Sequence, residues 1–372
     1  MVRYRNILVL AILVGLLSSC GFRRKKYENP ITKDTQQPDK VLFDKAIKDI
    51  ERNRFEVARI TLNTLVNTYD TSEYLAKAKL AIADSWFREG GSHGLAQAEA
   101  EYKDFILFYP TLEEAAEAQE KVCMIHVKQM EKPDRDMKHA LRAEDECRNL
   151  LVQFPNSKFA PRAQQLLREI QEVIAEGEYR VGSFYHTKGS NPAAANRLQA
   201  LVDHYPLYSR ADESLWKLGD AYSKMGPRFR QKSGESYARI IKDYPLSGYA
   251  EQARQKLVAM EMEVPEPDPV AYARMKYELE NRKEPGMMHH VWGIFRKSPD
   301  TGMAAKSGSP AMTSMRPTLP ATVPTGESAG AGVSADVTVS TVSGSSDLDT
   351  KPDARQRPPG QRGQPQKKEE KK

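Results

Sequence analysis

The stretch from Ala194 to Pro206, AANRLQALVDHYP, holds a small residue, a large apolar residue four places on, a second three places later, and then an aromatic–proline pair. The same order of one small, two large and one aromatic residue occurs five times, and proline follows the aromatic residue in four of them. The five instances are Ala58, Leu62, Leu65 and Tyr69; Ala98, Tyr102, Phe105 and Tyr109; Ala143, Cys147, Leu150 and Phe154; Ala194, Leu198, Leu201 and Tyr205; and Ser233, Tyr237, Ile240 and Tyr244. The residues after the five aromatics stand at positions 70, 110, 155, 206 and 245, which are 39 to 51 residues apart. Positions i, i+4 and i+7 share one face of a helix, and a small residue among them lets a neighbouring helix approach closely. The repeat predicts an all-α solenoid of about five helical hairpins, a fold that offers a binding surface.

The end of each repeat carries residues that stop a helix. Proline lacks a backbone N–H and its ring collides with the preceding turn, so the aromatic–proline pairs end the second helix of a hairpin. In two of the first helices a glycine stands three residues before a tyrosine, Gly182 before Tyr185 and Gly219 before Tyr222, and another glycine follows seven residues later. This pattern is typical of tetratricopeptide (TPR) hairpins.

The N-terminus has the pattern of an export signal. Arg3 and Arg5 precede an apolar run over residues 7–17, which is shorter than the roughly 20 residues of a membrane span. The run ends in Leu17-Ser18-Ser19-Cys20, which resembles a bacterial lipobox, in which the leader is cut before the cysteine and the cysteine is acylated. Residues 1–19 are therefore predicted to be a lipoprotein signal peptide, with Cys20 lipidated by enough acyl chains for stable anchoring. An ordinary secretory leader with a chance cysteine is the alternative.

The expected location is the periplasmic face of the outer membrane, because no aspartate follows Cys20 and an aspartate there is the inner-membrane retention signal of enteric bacteria. Composition divides the remaining chain into a tether over 20–39, the solenoid over 40–262, and a segment over 263–298 that includes a helix at 270–283. Residues 299–372 are mainly Ser, Thr, Pro, Gly and Ala, and we expect them to be disordered because they cannot bury enough apolar surface to offset the entropy of ordering. The net charge of +6 is spread over mixed acids and bases, so nucleic acid is not an expected partner.

Two cysteines remain once Cys20 is lipidated. Cys147 occupies the second position of the helical pattern in the third repeat. Cys123 follows Pro110 by thirteen residues, as Gly219 follows Pro206, so it takes the place of the close-packing glycine. In an antiparallel helix pair these two positions can face each other. A disulfide between them and a pair of reduced, buried thiols are both compatible with this placement.

The sequence motifs of enzymes give no convincing match in this chain. Gly-x-Ser-x-Gly occurs once, as Gly326-Glu327-Ser328-Ala329-Gly330, within the segment of small and polar residues at 299–372, where the sequence does not predict the strand and helix that flank a catalytic serine. A phosphate-binding glycine-rich loop and His-Glu-x-x-His are absent from the sequence. His289 and His290 have no acidic or cysteine neighbour and would point about 100 degrees apart on a helix. We therefore expect no catalytic residues, no metal and no cofactor.

The third and fourth repeats contain further blocks, among them Asp134-Arg135-Asp136, Phe154-Pro155-Asn156-Ser157-Lys158-Phe159, Glu178-Tyr179-x-Val181 and Asn196-Arg197-Leu198. Together with the lipobox and the five repeats, these blocks resemble BamD proteins, the lipid-anchored TPR subunits of the machinery that inserts β-barrels into the outer membrane. The resemblance covers residues 17–260. The chain departs from the family at Tyr69-Asp70, where an aromatic–proline pair is usual, in an insertion at Pro227–Lys232, and in its long C-terminal extension.

The resemblance implies a scaffold with two binding sites. In the family, the C-terminal repeats dock on a POTRA domain of the barrel-forming subunit BamA, where an arginine meets an acidic residue, and Asn196-Arg197 matches that motif. The N-terminal repeats receive the C-terminal strands of unfolded outer-membrane proteins, for which the candidates here are Tyr69, Tyr74, Trp86, Phe87 and, for the carboxylate, Arg88. The alternatives are packing between the first two repeats, favoured for Phe87, and a solvated Arg197.

Other classes of protein share part of this pattern. A different periplasmic TPR lipoprotein, such as a pilotin or a cell-wall coordination factor, is the main alternative. An enzyme of the superhelical transglycosylase kind would need a compact catalytic domain after the solenoid, which 299–372 does not supply. The apolar segment around Trp292 and Phe295, next to Arg296 and Lys297, is expected either to fold back on the last repeat or to dock on a partner.

Overall fold

The computed structural model describes residue 31, residues 36–281 and residues 298–313. The predicted lipidation site Cys20 with its signal peptide, the apolar segment around Trp292, and the predicted tail beyond residue 313 lie outside these ranges. Within the described ranges, no helix combines the length and the apolar character that crossing a membrane requires.

The described residues form twelve α-helices and one short 3-10 helix, and they contain no strand. The helices are α1 Pro38–Glu51, α2 Phe55–Thr68, α3 Leu75–Glu89, α4 Gly91–Phe108, α5 Glu113–Gln129, α6 Lys138–Gln153, α7 Ala160–Thr187, α8 Asn191–His204, α9 Ala211–Lys224, α10 Arg230–Asp243, α11 Ala250–Ala259 and α12 Pro269–Asn281. The predicted insertion forms the 3-10 turn Pro227–Phe229 before α10.

Each helix from α1 to α10 packs against the next one along the chain, which is the contact pattern of stacked hairpins. The pairs α1–α2, α3–α4, α5–α6, α7–α8 and α9–α10 are the five predicted repeats. The predicted all-α, TPR-like solenoid is therefore confirmed.

The repeated small and apolar positions form the interior of the solenoid. They lie on α2, α4, α6, α8 and α10, and every one of them is at most 1% exposed. Tyr102 and Tyr237 are among the largest of these side chains. Full burial of a large apolar side chain contributes about 1.5–3 kcal/mol, so this one stripe per repeat supplies much of the stability of the fold.

The aromatic residues end their helices as predicted, with or without proline. Tyr69, Tyr109, Phe154, Tyr205 and Tyr244 are the C-caps of α2, α4, α6, α8 and α10. Tyr69, which Asp70 follows, has φ −124° and ψ 69°, nearly the values of −126° and 63° at Tyr205, which Pro206 follows. The departure from aromatic–proline at this position therefore leaves the end of the helix unchanged.

The first and second helices of a hairpin approach closely at the predicted glycines. A Cβ atom on Gly182 would lie 2.8 Å from Cδ2 of Leu198, and one on Gly219 would lie 2.7 Å from Cε1 of Tyr237. Cys123 on α5 and Cys147 on α6 hold the equivalent positions in the third repeat. Their Cα atoms are 5.1 Å apart, and the structure joins the two residues by a disulfide bond.

The C-terminal part of the described chain differs from the sequence prediction. Helix α12 matches the helix expected at 270–283, but residues 298–313, which we call the strap, lie against the solenoid. The prediction of disorder from residue 299 is therefore wrong for 299–313. The strap has few large apolar side chains, as composition suggested. Side chains of α7 donate hydrogen bonds to its carbonyls, and its amides donate to Glu278 on α12.

Candidate partner-binding surfaces

A pocket of about 350 Å³ lies between the start of α1 and the loop from α2 to α3. Its lining is Gln37, Pro38, Asp39, Tyr69, Thr71, Ser72, Glu73 and Tyr74. The ring of Tyr74 also packs on Phe43, with centroids 5.4 Å apart. The hydroxyl of Ser72 donates a 2.6 Å hydrogen bond to Asp39, and this bond lowers the pKa of that carboxyl. Two of the predicted groove residues, Tyr69 and Tyr74, therefore share a pocket whose charged groups are acidic.

The other three predicted groove residues lie elsewhere. The guanidinium of Arg59 stacks on Trp86, 3.5 Å from the ring centroid, and Nη1 of Arg59 donates a 2.6 Å hydrogen bond to Glu89. Phe87 meets Tyr102 edge-on at 6.3 Å, under the ammonium of Lys128. Consecutive residues diverge by about 100 degrees around a helix, so Trp86 faces the first repeat while its neighbour faces the second.

The structure therefore does not bring the five predicted groove residues into one pocket. Phe87 packs on Tyr102 of its own repeat and under Lys128 of the third, not between the first two repeats as its alternative had it, and Arg88 is exposed. Sequence reasoning missed Arg59, which pairs with Trp86. Arg59 lies on α2, the second helix of the first repeat, and the sequence around it gives no signal of that contact.

A larger pocket, of about 580 Å³, lies between the loop before α6 and the facing sides of α7 and α8. Its apolar lining consists of Met137, Leu141, Ile174, Val181, Leu201 and Tyr205, and its charged lining of Asp134, Arg135, Glu178, Arg180, Arg197 and His204. An apolar floor with a charged rim is the usual make-up of a protein-binding surface. We call this cavity the rim pocket.

Arg197 stands on this rim as an exposed side chain. Its side chain is 53% exposed, and its Nη1 donates a 3.1 Å hydrogen bond to Glu178. The neighbouring Asn196 has a buried side-chain oxygen with no hydrogen-bond partner among the described residues. Three of the sequence blocks that carry the resemblance thus meet in the rim pocket, through Asp134, Glu178 and Arg197.

Tyr179, from one of those blocks, ties the fourth repeat to the fifth. Its hydroxyl donates a 2.6 Å hydrogen bond to Glu213 on α9, and it accepts one of 2.7 Å from Arg210. Burial raises the pKa of Glu213, but hydrogen bonds from Tyr179, Lys217 and Arg210 outweigh it and lower the pKa to about 2. The sequence placed Tyr179 in a recognisable block without indicating this role.

This network predicts a loss of stability in acid. Because the pKa of Glu213 lies below the ordinary value of 4.5, the unfolded chain binds a proton more readily, so the stabilisation is present above pH 4.5 and is lost as the pH falls toward 2. Glu213→Gln is expected to lower the free energy of unfolding at pH 7 by roughly 2–3 kcal/mol. Urea unfolding at several pH values measures the effect, with exposed Glu251→Gln as the control. If the free energy of unfolding of Glu213→Gln falls between pH 4.5 and 2 as steeply as that of the wild type, the assignment is contradicted.

A buried polar cluster joins the second and third repeats. Single side-chain atoms of Glu99, His126 and Glu146 lie within 4.8 Å of one another, and His126 is 2% exposed. The ammonium of Lys103 lies 2.8 Å from Glu99 and 2.7 Å from Glu146. Burial lowers the pKa of His126, opposed by the two carboxylates. Lys103 and Arg142, whose Nη1 lies 3.5 Å from Glu99, thus supply positive charge beside these carboxylates.

The described residues thus form a helical-repeat protein with two pockets on its surface. Residues 35–236 match the model of the outer membrane lipoprotein family YfiO. The matched residues make up more than half of the chain. The chain belongs to this family.

Relatives in three bacteria agree with the family match. The chain is 24% identical to the outer membrane protein assembly factor BamD of Xylella fastidiosa strain 9a5c, over 59% of this chain and 76% of that protein. It is 24% identical to BamD of Rickettsia prowazekii, over 64% of this chain and 97% of that protein. It is 22% identical to BamD of Neisseria meningitidis serogroup A, over 67% of this chain and 95% of that protein. The predicted resemblance to BamD-type proteins is confirmed.

Proposed function

We propose that this chain is a non-enzymatic, lipid-anchored outer-membrane subunit of the machinery that assembles β-barrel proteins. The observation that carries the proposal is the rim pocket, where Asp134, Glu178 and Arg197 from three family-like blocks surround an apolar floor. The family match and the names of the relatives support the same role.

The proposed partner at the rim pocket is a POTRA domain of a BamA-like subunit. Arg197 presents a planar guanidinium that can bond a partner carboxylate through two donors, and among the described residues it donates a side-chain hydrogen bond to Glu178, which it has to share or release. The apolar floor below Arg197 would receive apolar side chains of the partner. In such interfaces most of the binding energy comes from a few buried side chains of this kind.

The proposed substrates are the C-terminal strands of unfolded outer-membrane proteins, received near Tyr69 and Tyr74. These rings offer flat contact area and hydroxyl groups to an extended aromatic strand. Asp39 and Glu73 line the same pocket, so it suits an aromatic side chain or backbone N–H groups better than a terminal carboxylate.

Depletion of the chain in its own host tests the proposed function. We expect the amount of folded outer-membrane β-barrels to fall and their unfolded precursors to accumulate in the periplasm. A plasmid copy of the wild-type chain should restore them. Unchanged barrel levels in cells that lack the chain would contradict the proposal.

Anchoring is tested at Cys20. If it is the lipidated residue, Cys20→Ala should abolish acylation and leave the protein uncleaved or poorly attached to the membrane, because acyl chains supply the attachment. Mass spectrometry of the mature N-terminus and membrane fractionation measure both effects, with Ser19→Ala as a neighbouring control. An unlipidated mature N-terminus at any other residue would refute the assignment.

A further inference from the structure

The strap is held on α7 through its backbone. Side chains one helical turn apart on α7 donate to strap carbonyls three residues apart: Gln165 to Ala305 at 3.4 Å, Arg168 to Gly308 at 2.7 Å, and Gln171 to Ala311 at 2.8 Å. The amide of Ala311 also donates to Gln171, at 3.2 Å. Contacts of this kind recognise an extended chain and not a particular sequence.

A single carboxylate holds the strap from the other side. Glu278 on α12 is 9% exposed, and one of its oxygens accepts hydrogen bonds from the amides of Lys306 and Ser307, at 2.8 and 2.7 Å. The hydroxyl of Ser307 donates to the same oxygen at 2.8 Å. These groups together form a seat for the polypeptide backbone, which we call the strap groove: Gln165, Arg168, Gln171 and Glu278.

The strap fills its groove incompletely. Its buried side chains are the small Ala304, Ala305 and Pro310. Next to Ala305 a pocket of about 200 Å³ remains. Its apolar walls are formed in part by Leu207, Tyr208, Met275 and Leu279, and Asp212, Ser247 and Arg274 are among its polar walls. Each buried CH₂ contributes about 0.8 kcal/mol, so the alanine methyl uses little of what this pocket can offer.

We propose that the strap groove is a peptide-binding site for an extended segment of a partner protein that carries a large apolar side chain, and that the strap is its displaceable occupant in cis. The partner segment forms the same backbone hydrogen bonds and places its large side chain where Ala305 now stands. A tethered occupant competes at the high effective concentration that a linker within one chain provides, so the groove opens to segments that bind better than the strap. This site is separate from the rim pocket and from the proposed function.

The test uses the full chain and two labelled peptides. The peptides span residues 300–313, one with the native sequence and one with A305F. In the chain, Ala305→Asp places a charge at a buried position and releases the strap while leaving the groove side chains unchanged. Ser309→Asp adds the same charge at an exposed strap position and is the matched control.

We expect the native peptide to bind the Ala305→Asp chain at least about tenfold more tightly than the wild-type or Ser309→Asp chain, since the cis competitor is removed. The A305F peptide should bind at least about tenfold more tightly than the native peptide, because the ring enters the open pocket. Adding Gln171→Ala to the released chain should abolish binding of both peptides.

Two results would overturn the proposal. The first is no binding of either peptide to an Ala305→Asp chain that keeps its helical circular dichroism, which would make the strap a permanent part of the fold. The second is binding that Gln171→Ala leaves unchanged. If the released chain does not fold, titration of the wild-type chain with the A305F peptide decides the matter, since displacement of the strap must then saturate and be lost with Gln171→Ala.

Discussion

Arg197→Glu is expected to weaken binding of the BamA-like subunit by about 2–5 kcal/mol while leaving the helical content unchanged. The wild-type guanidinium would face an acidic residue of the partner, and the substitution replaces that attraction by repulsion in a partly desolvated contact. Arg197 is exposed and away from the core, so the fold should tolerate the change. Titration of the purified chain with the POTRA region of the partner measures the loss.

Two controls separate docking from local disturbance. Glu178→Gln removes the negative charge beside Arg197 and should leave docking intact or slightly stronger, because a neutral amide holds the guanidinium less strongly than a carboxylate does. Arg197→Lys keeps the charge but loses the planar fork, so its affinity should fall between the wild type and Arg197→Glu. Equal affinity for all of these variants would remove Arg197 from the interface.

Loss of the bridge between Cys123 and Cys147 is expected to lower the free energy of unfolding by about 2–4 kcal/mol. The bond joins positions 24 residues apart in the α5–α6 hairpin and restricts the unfolded chain. Both residues are at most 1% exposed, so their replacement by alanine keeps small apolar groups in the interior and isolates the effect of the bond. Urea unfolding of the Cys123→Ala/Cys147→Ala chain, with and without reductant, measures the change.

Reductant should destabilise the wild-type chain and have no effect on the double-alanine chain. Thiol alkylation of unreduced, denatured protein isolated from its host should label neither Cys123 nor Cys147. Labelling of both would show that the two cysteines are reduced in the cell and would contradict the expected loss.

The repeat interior was predictable because one pattern controls both secondary structure and burial. The spacing of Ala194, Leu198 and Leu201 makes one helix face apolar, and the same three positions are fully buried in the structure. The glycines were equally informative, since Gly182 and Gly219 stand where a Cβ atom would collide with the partner helix. Short-range spacing therefore fixes the hairpins.

The N-terminal groove was less predictable, because the direction of a side chain depends on how neighbouring helices pack. Trp86 and Phe87 are adjacent in sequence and were grouped by residue type, yet they face different repeats. Tyr69 and Tyr74 meet in one pocket because the short loop from α2 to α3 brings them together. Residue type alone does not contain that information.

The strap was missed for a different reason. A prediction of disorder from composition depends on how much apolar surface a segment can bury. Residues 298–313 carry little apolar surface. Their order comes from Gln171 and Glu278, which bond strap amides and carbonyls. Hydrogen bonds between the strap backbone and side chains far away in the sequence produce no residue pattern in the strap itself.

The central claim is that the chain works as a BamD-type subunit attached to the barrel-inserting machinery. Its most direct test is purification of the tagged, full-length chain from detergent-solubilised outer membrane, with mass spectrometry of the proteins that accompany it. We predict recovery of a POTRA-bearing, BamA-like barrel subunit in amounts comparable to the chain, and its loss from the Arg197→Glu sample. Recovery of a secretin in its place, or of the chain without any such barrel subunit, would contradict the claim.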